Sequence, residues 1–111
     1  MNEESLLVEL HANLRAAHEP LGLSVDELDR FTASGSDFEV YRCGARGVLA
    51  FFGDYLVITL PDKGDLVASR RVYQLIAERL SARGKILHMV HPRNFASVKS
   101  TRRLGARPLG Y

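Results

Sequence analysis

The chain has 111 residues, 46% of them apolar and 25% charged, with a formal net charge of +2, which suits one water-soluble globular domain with its own core. It holds no apolar run of the roughly 18 residues that a membrane span needs, and its start lacks the basic and apolar regions of a signal peptide. The single cysteine, Cys43, excludes an internal disulfide and a Cys-rich zinc site and points to a reducing compartment, with the cytoplasm expected.

The small net charge conceals an asymmetry. Residues 1–56 carry ten acidic and four basic side chains, whereas residues 57–111 carry three and eleven. Two readings stand. The basic half serves an anionic ligand, such as a phosphate-rich cofactor or nucleic acid, or the two halves neutralise each other across the fold.

In chain order, Leu6, Leu7, Leu10, Leu14 and Ala17 recur at helical spacing between Glu4 and His18, and Pro20 and Gly22 end that helix. Ser24-Val-Asp-Glu27 is a capping box: the Ser hydroxyl satisfies a first-turn amide and the Glu reaches back to the cap, so a short second helix is predicted through about Ala33. After a turn at Ser34–Asp37 come three strands. Phe38–Cys43 alternates in part, Gly47–Phe52 is nearly continuous in apolar residues, and Tyr55–Leu60 is expected to be buried on both faces. Gly44-Ala-Arg46 and Gly53-Asp54 are the turns that make these an antiparallel meander. Beyond a break at Pro61–Asp65, Val72, Leu75, Ile76 and Leu80 mark one face of a helix from about Val67 to Ala82, which Gly84 stops. Ile86–His91 reads as a strand, Asn94–Leu104 as a helix, and Pro108–Tyr111 as the start of a last strand.

The predicted order is α-α-β-β-β-α-β-α-β in a single domain over residues 1–111, an α+β fold with helices covering a mixed sheet. The core is expected on Val48, Leu49, Phe51, Leu56, Val57, Ile58, Leu75, Ile76, Ile86 and Val90.

The closing stretch carries the chemistry. Val90-His-Pro-Arg-Asn94 leads from strand to helix, the helix carries Ser97, and it ends at Leu104-Gly105-Ala106, eleven residues after Asn94. Asn94 can cap that helix, and Gly105 permits a left-handed turn after it. A strand-Asn-helix-Gly unit is also plain α/β architecture. With the meander and the long helix, the stretch resembles the GNAT superfamily of N-acetyltransferases from about Phe38 to Tyr111. In size and in its phosphate loop the chain is also similar to small phage-encoded GNAT-like proteins.

The resemblance implies a GNAT-like mixed sheet with acetyl-CoA as cofactor, in the wedge between Tyr55–Leu60 and Ile86–His91. It implies that backbone amides near Leu60 polarise the thioester carbonyl. It assigns the pyrophosphate to the loop Gly64-Asp-Leu-Val-Ala-Ser69, through Gly64, Val67 and Ser69 with Arg70 and Arg71 beside them, and the pantetheine to Asn94 and Ser97. Gly64 stands where the family's loop opens with Gln or Arg, and Asp65 adds negative charge there. Thr101 stands where many members carry the Tyr that protonates the leaving thiolate. Tyr55–Leu60 has no Glu to act as base, so Glu39 and Tyr41 are the nearest replacements, sharing a face by alternation. Their other reading is the solvated face of an edge strand. Members usually open with a further strand and close with a seventh; neither is legible here, and a homodimer covering the open sheet edges is expected.

Other signals carry less. His88 and His91 are three apart on one strand and point to opposite faces, which argues against a metal site, and His11 and His18 read as surface residues. Cys43, near Arg42 and Arg46, reads as a buried or turn thiol. Lys99, Arg102, Arg103 and Arg107 suit a solvated helix face, cofactor phosphates or, with few aromatics nearby, nucleic acid. Two functions follow. One is an N-acetyltransferase moving an acetyl group from acetyl-CoA to an amine substrate. The other is a catalytically inactive GNAT-like binding protein that holds or inhibits a host protein partner.

Overall fold

Hairpin turns and one long helix set the architecture. A computed structural model of the chain describes residues 3–24, 38–88, 90, 93–103 and 105–106. Among these, α1 spans Glu3–His18 and runs into a 3₁₀ turn at Glu19–Leu21. Strands β1 (Phe38–Cys43), β2 (Gly47–Phe52) and β3 (Tyr55–Thr59) follow, then α2 (Leu66–Arg83), β4 (Leu87–His88) and α3 (Phe95–Arg103). The described residues thus form an α+β fold. The sheet order is β1-β2-β3-β4, antiparallel at the first two pairings and parallel at β3–β4. Tight turns can only return a strand antiparallel, whereas the α2 crossover brings β4 back parallel to β3.

Alternation assigns the two sheet faces. Val40, Val48, Ala50, Phe52 and Val57 pack beneath Leu6 and Leu10 of α1. The intervening residues, Cys43, Leu49, Phe51 and Leu56, pack beneath Val72 and Leu75 of α2. Every residue of β2 is buried, because a central strand with a helix on each face has no wet side. Each fully buried Leu or Phe here contributes about 1.5–3 kcal/mol.

The start of α2 is seated by the first hairpin turn. Asp65 caps the helix by accepting the Ala68 N–H at 3.1 Å. Gly44, at φ +79°, lies so close that a Cβ there would meet Asp65 Oδ2 at 2.7 Å and Ala68 Cβ at 2.8 Å. Gly84 ends the helix in the left-handed conformation. Ion pairs then join acids of the first half to bases of the second: Arg79–Glu39, Arg83–Asp54 and Lys85–Asp54; Arg46–Asp62 joins the halves with the opposite polarity. Arg42–Glu9 lies within the first half. Neutralisation across the fold therefore accounts for part of the charge asymmetry.

One expectation about burial needs correction. β3 is covered on both faces only at Leu56 and Val57; Ile58 and Thr59 are half-buried, Tyr55 is exposed, and the following Leu60 is exposed. The strand with two covered faces is β2. The capping-box helix after Ser24 and the strand at Pro108–Tyr111 lie outside the described residues, as do Met89, His91 and Leu104. No described helix is long and apolar enough to cross a membrane.

Candidate functional site

Among the described residues, β3 and β4 pair at Tyr55↔Leu87 and Leu56↔His88, and β3 continues to Thr59. Beyond those two rungs a cavity of about 90 Å³ opens, lined by Leu56, Val57, Ile58 and Leu60 on one side and by His88 and Val90 on the other. Val72 and Ile76 of α2, Leu14 and His18 of α1, and Asn94, Ser97, Ser100 and Thr101 at α3 complete the wall. The crevice lies at the carboxyl ends of two parallel strands, each followed by a helix, which is where α/β sheets bind ligands.

Its polar wall is one connected series of hydrogen bonds. The imidazole of His18 donates from Nδ1 to the Leu14 carbonyl at 2.7 Å, since a carbonyl can only accept. His18 then accepts at Nε2, where Asn94 Nδ2 donates to it at 3.4 Å. The other end of the Asn94 amide accepts the Ser97 N–H at 3.4 Å, the N-cap bond of α3. The Ser97 carbonyl accepts the Thr101 hydroxyl at 2.7 Å. With its own proton committed, Thr101 Oγ1 accepts from His88 Nδ1 at 3.3 Å. Both histidines therefore carry their proton on Nδ1.

Charge is absent from this wall. No Asp, Glu, Lys or Arg is among the described lining residues. Burial pushes the pKa of His88 below the usual histidine value, because a largely apolar crevice disfavours the imidazolium. His18, expected on the surface, is half-buried within the network. Neither histidine was legible as a site residue, because no sequence spacing connects the end of α1 with β4. The strand Ile86–His91 did carry a signal: His88 is a polar ring between apolar neighbours, Leu87 and Met89.

Asn94, Ser97 and Thr101 thus meet in one wall, with Leu60 at the lip. The expected phosphate residues are arranged differently. The Asp65 carboxylate occupies the first turn of α2, and Ser69 donates its N–H to the Asp65 carbonyl at 3.0 Å. Gly64, Val67 and Arg70 are exposed. The Arg71 guanidinium lies 6.0 Å from the Tyr41 ring centroid, over β1 rather than the crevice.

Glu39 and Tyr41 do share a face, and the Tyr41 hydroxyl donates to Glu39 Oε2 at 3.0 Å. They stand on β1, two strands from β3, or about 10 Å at ordinary strand spacing. Arg79 also binds Glu39 Oε2, at 3.0 Å. Burial, and then the bond to Glu39, raises the Tyr41 pKa. Cys43 is buried, and burial raises its thiol pKa against the opposing Arg71 charge. Among the described residues no group of His, Cys, Asp and Glu is set to hold a metal ion. No protein-family model matches this chain, and no curated protein or solved structure matches it significantly.

Proposed function

We propose that the chain is a GNAT-type N-acetyltransferase that moves an acetyl group from acetyl-CoA to an amine, with the thioester in the β3–β4 crevice. The observation that carries this reading is the crevice between β3 and β4, at the carboxyl ends of a parallel pair, with the Asn94-capped helix at its mouth. The order meander, long helix, strand, capped helix also agrees with a GNAT-like arrangement. Ile58 and Leu60 line the crevice beyond the Leu56↔His88 pairing, and backbone amides near Leu60 would polarise a thioester carbonyl. The cavity of about 90 Å³ suits the acetyl thioester, with the rest of the cofactor extending past Asn94. Titration calorimetry with acetyl-CoA tests the reading. Binding that weakens in Asn94→Ala is the expected result, and no heat at millimolar acetyl-CoA overturns it.

A second reading rests on Asp65. Its carboxylate occupies the α2 terminus where a pyrophosphate would bind, which favours a catalytically inactive binding protein that holds or inhibits a protein partner. Such a protein captures its partner equally well with Asn94→Ala, and thiol release from acetyl-CoA excludes it. A homodimer that covers the open sheet edge belongs to either reading and is tested by sedimentation. One buried thiol, Cys43, fits a reducing compartment such as the cytoplasm.

A further inference from the structure

We propose that Nε2 of His88 is the proton acceptor in the crevice, held ready by Thr101; this rests on the acyltransferase reading above. An amine acceptor must lose a proton as its nitrogen bonds to the thioester carbon. Among the described lining residues the imidazoles are those of His18 and His88, and imidazole is the side chain best suited to exchange a proton in the physiological range. His18 has both ring nitrogens engaged, Nδ1 by Leu14 and Nε2 by Asn94. His88 has Nδ1 engaged by Thr101, and its Nε2 has no hydrogen-bond partner among the described residues. Of the two described imidazoles, His88 is the one with an Nε2 lone pair left for the reaction.

The surroundings suit that role. His88 faces its register partner Leu56 on β3, and the same cavity is walled by Val72 and Ile76 of α2 and the hydroxyls of Ser100 and Thr101 at α3. Among the described residues, the other titratable group facing the cavity is His18, on α1. The Nδ1–H bond to Thr101 survives in both protonation states of the ring, so the imidazole need not reorient when it takes a proton. Burial keeps the ring neutral beforehand.

The step balances without a further reactant. The amine nitrogen attacks the thioester carbon, and its proton passes to Nε2, forming an imidazolium. The tetrahedral intermediate collapses, the C–S bond breaks, and the thiolate takes the proton back from Nε2. The products are an amide, a free thiol and neutral His88. Thr101, which touches the ring but not the reacting atoms, is a positioning residue.

The test uses the full chain with acetyl-CoA and a panel of primary amines: free lysine, a lysine peptide and spermidine. Thiol release gives turnover across a pH series, and calorimetry gives acetyl-CoA affinity. In His88→Gln, kcat is expected to fall by about 100-fold or more while the acetyl-CoA Kd stays within about twofold. The acidic limb of the wild-type kcat/KM profile should vanish in that variant and shift in Thr101→Val. A His88→Gln protein that binds acetyl-CoA, turns over like the wild type and keeps the acidic limb overturns the role of His88 and leaves the acyltransferase reading standing. A wild type that binds no acetyl-CoA and releases no thiol removes both. Nitrogen-15 NMR of the wild-type histidine rings near neutral pH gives a check independent of variant folding. A neutral His88 ring protonated on Nδ1 supports the proposal, and one protonated on Nε2 overturns it.

Discussion

Asn94 donates its side-chain amide to Nε2 of His18 at 3.4 Å, a contact between residues 76 apart in sequence. It ties the end of α1 to the start of α3 and closes the crevice on that side. The direction of the amide is set locally. Its oxygen must face the Ser97 N–H to cap α3, so its nitrogen must face the imidazole. Substituting Asn94→Ala removes both bonds and is expected to lower stability by about 1–2 kcal/mol. Asn94→Asp keeps the cap and loses only the donation to His18, so it should cost less. Urea denaturation of the two variants measures the difference, and equal losses would show that the cap contributes nothing.

Asp65 tests the phosphate question. Asn is as good an N-cap as Asp, so Asp65→Asn should leave stability within about 0.5 kcal/mol, whereas Asp65→Ala should cost about 1 kcal/mol. Removing the charge from a helix N-terminus should raise acetyl-CoA affinity by up to about fivefold if the cofactor phosphates lie there. Unchanged affinity in Asp65→Asn would move the phosphates away from α2.

Two turn glycines separate conformational strain from collision. Gly44 and Gly53 both have positive φ, at 79° and 62°. A Cβ on Gly53 meets nothing within 4 Å, whereas one on Gly44 strikes Asp65 and Ala68. Gly53→Ala should therefore cost about 1–2 kcal/mol for the left-handed conformation alone, and Gly44→Ala distinctly more. Thermal melts that rank them in the opposite order would count against the packing of the first hairpin turn on α2.

Arg79 is a bridge that lysine cannot replace. Its guanidinium binds Glu39 at 3.0 Å and the Gly53 carbonyl at 3.1 Å, and lies 4.6 Å from the Phe51 ring centroid. A single ammonium cannot make both bonds and the stack at once. Arg79→Lys is expected to cost about 1–3 kcal/mol, read as a lower denaturant midpoint at unchanged slope.

Acid should weaken the fold through His88. Burial sets its folded-state pKa below 6.5, so as the pH falls through 6.5 the unfolded chain gains a proton that the folded chain refuses. The contribution of this group is complete above the unfolded value and is lost as the pH falls toward the folded one. His88→Gln should flatten the pH dependence of the urea midpoint in that window. An unchanged slope would assign the acid sensitivity to other groups.

Much of the scaffold could be read from local signals. The bounds of β1 and β2 agree with expectation because turn residues bracket them, and those of α2 fall within one residue of it at each end because one apolar face repeats up to Gly84. Within the candidate site, Asn94 and Thr101 were legible because both belong to one capped helix. What spacing could not convey was position across the sheet. Glu39 and Tyr41 do face the same way, yet the two-residue periodicity of a strand is silent about which strand borders the crevice. Asp65 was visible as a charge, and its role as a cap depends on side-chain geometry that the local pattern only permits.

The described join between β3 and β4 has a further consequence. Among the described residues, α3 and its cap meet the rest of the fold through the Asn94–His18 and Thr101–His88 contacts, and β4 meets β3 through two rungs and the Leu87 N–H bond to the Asp54 carbonyl. Opening of β4 and α3 as a unit should therefore need less free energy than unfolding β2, which is buried along its whole length. In hydrogen–deuterium exchange, the amides of Phe95–Arg103 should label early and those of Gly47–Phe52 last. A molecule seated between β3 and α3 would act as a clasp across that hinge. Slowed labelling of α3 would then report its arrival before anything is known of the reaction it undergoes.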